Sequence, residues 1–374
     1  MACLQTLIDG QQIAIDVSAY VHEPAYILKI LIWPAFRKSA ANPHGALLAK
    51  ALQDSGVRLA DWTPLRALFS PGNCWHIHHP ETVLFRRSTS LALAETVSFV
   101  VLLTLARFRG TRVVWTIHDL GSNDRLHPRL ESWFWRWYTQ RVNVVIGLTQ
   151  HSLVLADETF FSLRKLPHYV IPHGHYLDVY TRHISQAHAR SALTLDENSH
   201  VVLHFGLLRP YKNVPTLIRC FAQACVRDST LLVAGRPFDE KVRLLVERCA
   251  REQQDKSGSD IRLHLRHIDD EEVPLYFAAA DLVVLPYERI LNSGALILSL
   301  SLNTPVLVPS LGSMPEHESV FGDHWVRLYH GELTARHITE ALEWARTTER
   351  APIDWQPLAW RELALQTKQV YEKL

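Results

Sequence analysis

The chain has few cysteines for its length, and its net charge is close to zero. Five cysteines occur in 374 residues, without a C-x-x-C pair or the spacing of a disulfide framework. This favours reduced, mostly buried thiols and a cytoplasmic protein. The 39 Lys and Arg residues nearly balance the 38 Asp and Glu residues, which gives a charge of +1. Such a balance excludes a strongly basic nucleic-acid-binding surface, so we expect no nucleic-acid partner.

The sequence also shows no pattern typical of a secretory leader, an uninterrupted membrane span or a low-complexity linker. The opening segment, MACLQTLIDGQQIAID, has acids and glutamines where a signal peptide needs a basic start and an apolar core. The run from Thr89 to Phe108 has about the length of a bilayer span, but Glu95 interrupts it and Arg107 lies near its end. We therefore predict a buried helix there.

The composition that remains is typical of a globular α/β protein with two domains. Hydrophobic residues make up 47% of the chain and charged residues 21%, and 374 residues exceed one ordinary core. Apolar segments alternate between strand and helix patterns, for example strand 74–78, a long helical run and strand 111–117. Polar residues interrupt this rhythm between His175 and Val201. We place the change of domain in that interval.

A glycine turn with two cations marks the start of the second half. The apolar run VVLHF ends at Gly206 and is followed by Arg209 and Lys212. A glycine at the end of a strand lets the backbone approach a ligand closely. Two cations three residues apart can then hold a diphosphate at the carboxyl end of a parallel sheet. An ordinary strand-to-helix turn with two solvated cations fits the same residues.

A second anion-binding pattern follows the predicted strand 282–286. Asn292, Ser293 and Gly294 lie at the start of a predicted helix, where they supply a capping side chain and bare N–H groups for phosphate oxygens. After the next strand, 304–308, the loop GSMPE places Glu316 at the same sheet edge. A carboxylate there suits a ribose or sugar hydroxyl. Taken alone, the cluster also fits an ordinary capped helix.

With the strand that ends at Gly235 and the run LHLRHIDDEEVPLYFAAADLVVLPY, these segments resemble the nucleotide-sugar half of GT-B glycosyltransferases. They resemble most the retaining family four (group 1) and exopolysaccharide-cluster glycosyltransferases, over residues 200–345. The resemblance implies an α/β GT-B fold with two Rossmann-like parallel-sheet domains facing across a cleft. Residues 1–180 would bind the acceptor and residues 181–355 the nucleotide sugar. A helix within 356–374 would cross back onto the first domain.

The resemblance also assigns the donor site. It implies that Arg209 and Lys212 hold the diphosphate, that the backbone from Arg266 to Ile268 meets the base, and that Glu316 lies near the ribose or phosphate. The predicted donor-binding set is Gly206, Arg209, Lys212, Gly235, His267, Ile268, Glu288, Asn292, Ser293, Gly294 and Glu316. Because GT-B enzymes generally use fixed cations in place of a metal, the resemblance implies neither a metal nor a cofactor.

The chain departs from family four at the donor helix. That family usually carries two glutamates separated by seven residues, and the corresponding positions here are Ile290 and Leu298. Neither side chain can form hydrogen bonds with a sugar. Glu288 replaces the first glutamate only if the loop runs differently, and Asn292 or Ser293 are other candidates. The departure leaves open whether the reaction retains or inverts configuration, and which sugar is transferred.

Catalytic groups are expected on N-terminal loops that face the donor. The predicted strand VVWTI delivers His118 and Asp119 to its carboxyl end, where open α/β sheets bind their ligands. Either group can take the proton of the acceptor hydroxyl while charge builds on the leaving diphosphate. We favour Asp119 as the base of an inverting reaction. For a retaining reaction the related family implies that His118 contacts the donor sugar, and a structural role for His118 in the loop is the alternative.

The run HIHHPE, residues 76–81, also contains histidines that alternate on a strand end, a pattern that can ligate zinc. The H-x-H-x-D-H pattern of a metallohydrolase needs an aspartate two residues after the second histidine. Here Pro80 stands at that position and Glu81 follows it. With 21 histidines in the chain, clustering by chance accounts for the run. We therefore predict no metal. His44, His78 and His79 are assigned to the acceptor pocket instead.

The sequence thus predicts a hexosyltransferase that moves a sugar from a UDP- or GDP-sugar to a glycan or polyprenyl-linked glycan in polysaccharide biosynthesis. Basic residues beside apolar stretches predict peripheral contact with the inner face of the cell membrane. They are Arg37, Lys38, Arg86, Arg87, Arg107, Arg109 and Arg112. Alternatives are a catalytically silent nucleotide-sugar-binding scaffold, a GT-B epimerase or phosphorylase, and a zinc hydrolase.

Overall fold

The computed structural model of the protein describes residues 29–34, 43–122 and 126–374, together with the backbone of two short strands nearer the N-terminus. These strands, β1 (Gln5–Ile8) and β2 (Gln11–Ala14), pair with each other in antiparallel orientation. The basic pair Arg37 and Lys38 lies outside the described residues.

A six-stranded parallel sheet forms the first domain. Its strands are β3 (Lys29–Trp33), β4 (Arg58–Asp61), β5 (Cys74–Ile77), β6 (Arg112–Ile117), β7 (Val144–Gly147) and β8 (His168–Val170). The helices among them are α1 (Pro43–Asp54), α2 (Pro64–Phe69), α3 (Thr89–Phe108), α4 (Pro128–Thr139) and α5 (Gln150–Thr159). The spatial order is β4-β3-β5-β6-β7-β8. Connections therefore leave β3 in opposite directions, which creates a crevice at the carboxyl ends of β3 and β5.

A second six-stranded parallel sheet forms the other domain. Its strands are β9 (His200–Phe205), β10 (Ser229–Ala234), β11 (Asp260–His264), β12 (Leu282–Val284), β13 (Val306–Pro309) and β14 (Val326–Tyr329). Its helices are α6 (Gln186–Ala192), α7 (Val214–Ala224), α8 (Glu240–Ser257), α9 (Val273–Ala279), α10 (Gly294–Ser301), α11 (Met314–Phe321) and α12 (Ala335–Thr347). The order β11-β10-β9-β12-β13-β14 is that of a Rossmann domain, whose ligand crevice lies between β9 and β12.

Both faces of each sheet are covered, which explains the nearly continuous apolar strands. In β9, Val201 and Leu203 pack with α9 and α10, whereas Val202 packs on the opposite face with α7 and α12. Successive side chains of a strand point to opposite faces, so a strand that is buried on both sides is apolar at most positions. The sequence therefore predicted these strands from runs of hydrophobic residues.

A last helix, α13 (Trp360–Glu372), packs on the first sheet although it follows the second in the chain. Its Tyr371 hydroxyl lies 2.6 Å from Nδ1 of His76 in β5. At the other end of α13, Trp360 donates its indole N–H to the carbonyl oxygen of His175 at 2.8 Å. The Trp360 ring also fills the space beside Gly174, where an added Cβ would lie 2.6 Å from it. Helix α13 thereby joins the crossover segment to the first domain.

Helix α3 matches the predicted extent, but the prediction that it is buried is only half right. Phe99, Leu102 and Leu103 lie in the core of the first domain. Val97 and Val101, on another face, are about half exposed. Within the described residues, α3 is the one helix long and apolar enough to cross a membrane by length and composition. Its inner face nevertheless belongs to the domain core.

Candidate functional site

Two glycines bring the backbones of β9 and β10 together at their carboxyl ends. Gly206 has a φ of +111° and Gly235 a φ of +146°, both in the region that favours glycine. A Cβ on Gly235 would lie 2.0 Å from the carbonyl oxygen of Gly206. A Cβ on Gly206 would lie 3.2 Å from Nζ of Lys212. Glycine therefore keeps open the space in front of this ammonium group, at the ligand crevice of the second sheet.

Lys212 is buried at this edge, and no acidic side chain of the described residues pairs with it. Burial, and secondarily the positive charge of Arg209, lowers its pKa to about 8. Arg209 lies next to it, with its guanidinium 4.5 Å from the ring centre of Phe238. A buried cation without a carboxylate partner is costly unless a ligand supplies the negative charge. The predicted pair Arg209 and Lys212 is thus found together, in an arrangement that suits an anion.

Helix α10 begins beside the crossover segment between the two domains. The Ser293 hydroxyl caps it by accepting a hydrogen bond from the Leu296 N–H at 3.2 Å, and it also lies 3.0 Å from the Tyr287 hydroxyl. A Cβ on Gly294 would lie 3.2 Å from Nε2 of His173. The positive end of the α10 dipole therefore faces the first domain across His173.

Two members of the predicted donor-binding set, which belong to the second domain, form hydrogen bonds with the first domain. The Asn292 side-chain amide donates hydrogen bonds to the carbonyl oxygens of His118 and Ile117, at 3.2 Å and 3.4 Å. The carboxylate oxygens of Glu316 accept from the backbone N–H groups of Gln150 and His151, each at 2.9 Å. These two residues begin α5, so Glu316 caps a helix in the opposite domain.

The same loop inserts an apolar side chain into the first domain. Leu291, beside Asn292, is buried in the core formed by α3, β5 and β6. The Ser313 backbone N–H donates to the Leu291 carbonyl oxygen at 3.0 Å, which connects this loop to the loop that carries Glu316. The two domains are therefore in direct contact at this corner of the cleft.

The remaining donor-site residues lie around the same edge. Glu288 is exposed, and its backbone N–H donates to the Tyr211 carbonyl oxygen at 2.9 Å, which places it beside the Lys212 turn. His267 is exposed at the end of β11, whereas Ile268 is buried in the core behind it. Their roles toward a nucleotide base stay predictions.

Histidines from several elements meet on the first-domain side of the cleft. The ring centres of His44 and His173 are 4.3 Å apart, and those of His44 and His118 are 5.2 Å apart. His78 Nδ1 lies 3.0 Å from His118 Nε2, and the ring of His79 stacks on His118 at 4.5 Å. We call His44, His76, His78, His79, His118 and His173 the histidine cluster. It occupies the crevice where β3, β5 and β6 end.

Burial keeps most of the histidine cluster neutral at pH 7. It lowers the pKa values of His44, His78 and His118 well below 6.5, and neighbouring histidines lower them further. The pKa of His173 falls to about 4 for the same reason. His118 therefore acts as a neutral hydrogen-bonding group. Asp119, the other predicted catalytic residue, follows it and is partly exposed.

Among the predicted acceptor-binding residues, accessibility differs. His44 and His78 are buried, whereas about a quarter of the His79 side chain is exposed. His79 Nδ1 also lies 3.0 Å from the carboxylate of Glu81. His79 is thus the most accessible of the three, and their role toward an acceptor stays a prediction.

Three members of the cluster could hold a metal ion. His44, His78 and His118 each offer a ring nitrogen, and these atoms lie within 4.8 Å of one another. Three imidazoles with an open fourth position form a donor set that zinc accepts. The sequence drew attention to His76, His78 and His79, but His76 is bonded to Tyr371 and to the Thr116 hydroxyl, at 2.6 Å and 2.7 Å. The prediction of no metal is not tested by this arrangement.

His173 and the start of α5 were not among the predicted donor, acceptor or catalytic residues. His173 contacts both His44 and the beginning of α10, and α5 receives Glu316. The segment Pro172-His173-Gly174 at the end of the first sheet was a usable signal for His173. No local pattern marks Gln150 and His151, because they contribute backbone N–H groups.

Comparison with known proteins identifies a family and relatives that this chain resembles in sequence. Residues 199–342 match the family described as glycosyl transferases group 1. The GDP-mannose:glycolipid 4-beta-D-mannosyltransferase of Xanthomonas campestris pv. campestris is 31% identical over 315 residues. That alignment covers 83% of this chain and 82% of the relative.

Solved structures with the same fold include two with nearly complete coverage. Sucrose-phosphate synthase from Thermosynechococcus elongatus has a TM-score of 0.69 at 18% identity, over 92% of this chain and 98% of its own. Anabaena HepE in complex with UDP-glucose has a TM-score of 0.63 at 16% identity, over 93% and 100%. At these identities the similarity shows the fold alone. The predicted α/β GT-B fold is confirmed.

Proposed function

The chain belongs to the group 1 glycosyl transferases and is a glycosyltransferase, and on that premise we propose that it transfers mannose from GDP-mannose to a lipid-linked glycan. The observation that carries the proposal is Lys212, a buried cation in front of Gly206 that pairs with no acidic side chain in the described part of the chain. A nucleoside diphosphate supplies the charge that this edge needs. The choice of GDP-mannose and of a glycolipid acceptor rests on the mannosyltransferase relative.

We propose that the reaction inverts the configuration of the sugar. Mannose is α-linked in GDP-mannose, and the relative is named as a β-mannosyltransferase. In this chain Ile290 and Leu298 stand where the retaining family carries glutamates. Both side chains pack against the core of the second domain. A single displacement with an N-terminal base needs neither glutamate.

In this mechanism Asp119 removes the proton from the acceptor hydroxyl. The oxygen attacks C1 of mannose from the face opposite the diphosphate, and the bond from C1 to the diphosphate oxygen breaks with its electron pair. Lys212 and Arg209 stabilise the negative charge that develops on GDP. We assign the neutral His118, which precedes Asp119, to hydrogen-bond a sugar hydroxyl. The beginning of α10 adds a positive dipole on the donor side.

We further propose that the enzyme requires no metal or cofactor, since Lys212 and Arg209 provide fixed positive charge for the leaving group. The trio His44, His78 and His118 makes this testable. Elemental analysis of protein purified without chelator is expected to show substoichiometric zinc, and EDTA treatment is expected to leave transfer unchanged. A full equivalent of zinc that disappears in His78→Ala would contradict the proposal and revive the zinc-hydrolase alternative.

The proposed setting is polysaccharide assembly at the inner face of the cell membrane. Nucleotide sugars are made in the cytoplasm, and a lipid-linked acceptor is held in the bilayer. A catalytically silent scaffold, and an epimerase or phosphorylase, are not favoured by the family membership and the mannosyltransferase relative.

The deciding experiment incubates purified protein with radiolabelled GDP-mannose and lipid extracts from polysaccharide-producing bacteria. We expect mannose to enter the lipid fraction only with acceptor present, and NMR of the released glycan to show a β linkage. Asp119→Asn should abolish transfer without changing GDP affinity. An α-linked product would refute inversion. Transfer from UDP-glucose in place of GDP-mannose would refute the proposed donor.

A further inference from the structure

An apolar groove opens on the first domain, next to the histidine cluster. It has a volume of about 610 Å³ and lies between α2, the segment after β5, and α3. Its inner wall consists of Trp33, Trp62 and Phe99. The two indole rings stack at 4.8 Å, and Phe99 lies 5.4 Å from Trp33. The Trp62 indole N–H is buried without a hydrogen-bond acceptor among the residues that the structure describes, so a polar atom of a ligand could satisfy it.

The inner end of the groove adjoins the proposed acceptor site. Trp33 ends β3, and its carbonyl oxygen accepts a hydrogen bond from the His78 backbone N–H at 2.8 Å. The groove wall continues through Thr82 and Val83, which follow His79 in the same short helical turn. A molecule that fills the groove can therefore extend directly toward His79 and His118.

The outer end of the groove meets an exposed apolar surface on α2 and α3. On α2, Leu65 is 71% exposed and Phe69 78% exposed, and at the end of α3 Phe108 is 86% exposed. The Arg109 guanidinium donates to the Leu68 carbonyl oxygen, which ties the end of α3 to α2. The rest of the surface is the exposed side of α3, formed by Leu91, Leu93, Val97, Val101 and Leu105. Most of these residues recur every three or four positions, so they share one side of the helix.

Cations surround this apolar surface. Arg66 lies on α2, and Arg109 follows α3; both are exposed. Arg86 and Arg87 precede α3, and Arg86 lines the groove. Glu95 also lines the groove and forms an ion pair with Arg86 at 2.7 Å. Exposed apolar side chains inside a rim of arginines match a bilayer that carries phosphate headgroups.

From this continuity we infer that the groove binds the hydrocarbon chain of a membrane-anchored acceptor while the exposed side of α3 rests on the lipid surface. The inference rests on the proposed function for its acceptor and extends it to the lipid part. The hydrocarbon chain leaves the bilayer at α3, runs along the wall formed by Trp62 and Phe99, and presents its phosphate to Arg86. The glycan then reaches His79 and Asp119. The apolar length inside the groove selects acceptors with long chains.

The first test measures binding of hexyl, octyl, decyl and dodecyl phosphate by calorimetry, without donor. Each methylene buried in the groove is expected to strengthen binding by about fourfold. Ser98 lines the groove and is exposed on α3, so Ser98→Trp should fill the groove and remove the dependence on chain length. Ser90→Trp, at an exposed position of the same helix outside the groove, is the matched control and should behave like wild type.

The second test measures sedimentation of the full chain with vesicles of phosphatidylcholine, with and without phosphatidylglycerol. We expect binding to the anionic vesicles, at least tenfold weaker for Val101→Glu. Leu244→Glu, a similarly exposed leucine on α8 in the second domain, is the control and should bind normally. Salt should weaken binding, because the arginine rim acts through exposed charges.

The outcomes separate this inference from the proposed function. Equal affinity for all chain lengths in the wild type would overturn the groove assignment, even if mannose transfer is confirmed. A dimer in gel filtration that Val101→Glu dissociates, with no vesicle binding, would make the surface a self-association face and refute the lipid contact. Binding that depends on alkyl-chain length, together with no transfer from GDP-mannose, would refute the proposed donor but support the groove assignment.

Discussion

At the scale of single residues, Lys212 acts on stability and on binding in opposite directions. It is a buried cation, and none of the carboxylates in residues 29–34, 43–122 and 126–374 pairs with it. Lys212→Met is therefore expected to raise the Tm, because it removes an uncompensated buried charge. The same change should weaken GDP binding by about 1.5 to 3 kcal/mol, the range for hydrogen bonds with a charged partner.

Differential scanning calorimetry measures the expected rise in Tm of Lys212→Met, and titration with GDP measures the expected loss of affinity. Lys241→Met, at an exposed position of α8, is the control and should change neither quantity. A Lys212→Met protein that binds GDP as well as wild type would remove Lys212 from the donor site.

Gly235 is a second residue whose role can be isolated. Its substitution by alanine places a Cβ 2.0 Å from the Gly206 carbonyl oxygen, so the ends of β9 and β10 must move apart. We expect Gly235→Ala to lower the free energy of unfolding by about 3 kcal/mol and to reduce GDP affinity. Gly258→Ala also has a positive φ but open space around it, and should cost about 1 to 2 kcal/mol without affecting GDP. Urea unfolding of both variants makes the comparison.

At the scale of secondary-structure elements, the start of α5 depends on a residue of the other domain. Glu316 accepts hydrogen bonds from two N–H groups at the positive end of this helix. Glu316→Ala should lower the free energy of unfolding by about 1 to 2 kcal/mol. Amide hydrogen exchange at the first turn of α5 should be faster in this variant than in the wild type. Glu318→Ala, on the same helix α11 but with no described hydrogen bond at its side chain, should leave α5 unchanged.

Strands and helices were the elements that the sequence predicted best. Strand 111–117 was found at Arg112–Ile117, and strand 74–78 at Cys74–Ile77, because most of their buried positions are apolar. The outer face of α3 was not predicted. A helix that is apolar all round has no polar stripe to indicate which side faces outward. Its exposure follows only from how it packs on the sheet.

Only those parts of the candidate site that depend on residues close together in the sequence could be predicted. Lys212 and Gly206 are six residues apart, so their proximity follows from one turn. Asn292 and Glu316 were placed at the right sheet edge, but their partners in this structure are far away in sequence. Gln150 is 166 residues from Glu316. Such contacts depend on how the two domains meet, which a local pattern does not encode.

At the scale of the whole molecule, the histidine cluster makes stability depend on pH. Its members with lowered pKa values bind protons more weakly when folded than when unfolded. The folded state is therefore fully stable above pH 6.5 and loses stability as the pH falls toward 4 and 3, where His173 and His76 titrate. Each such histidine contributes up to about 1.4 kcal/mol per pH unit in that window.

Thermal unfolding between pH 8 and pH 5 measures this dependence. We expect a steep decline of the Tm below about pH 6, and a shallow rise between pH 7 and pH 8, where buried Lys212, with a pKa of about 8, holds its proton more weakly than it does in the unfolded chain. His76→Gln should make the decline shallower, because it removes one of the protons taken up on unfolding. His183→Gln, at an exposed position outside the cluster, should keep the wild-type slope. A slope that is the same in all three proteins would show that the cluster does not control it.

The buried position of Lys212 also has a consequence for the solution around the protein. With a pKa of about 8, part of the Lys212 population is uncharged in mildly alkaline buffer. A bound diphosphate favours the charged form, so binding draws protons from the buffer. The heat of GDP binding at pH 8 should then differ between Tris and phosphate, which release protons with different enthalpies. In Lys212→Met the two buffers should give the same heat.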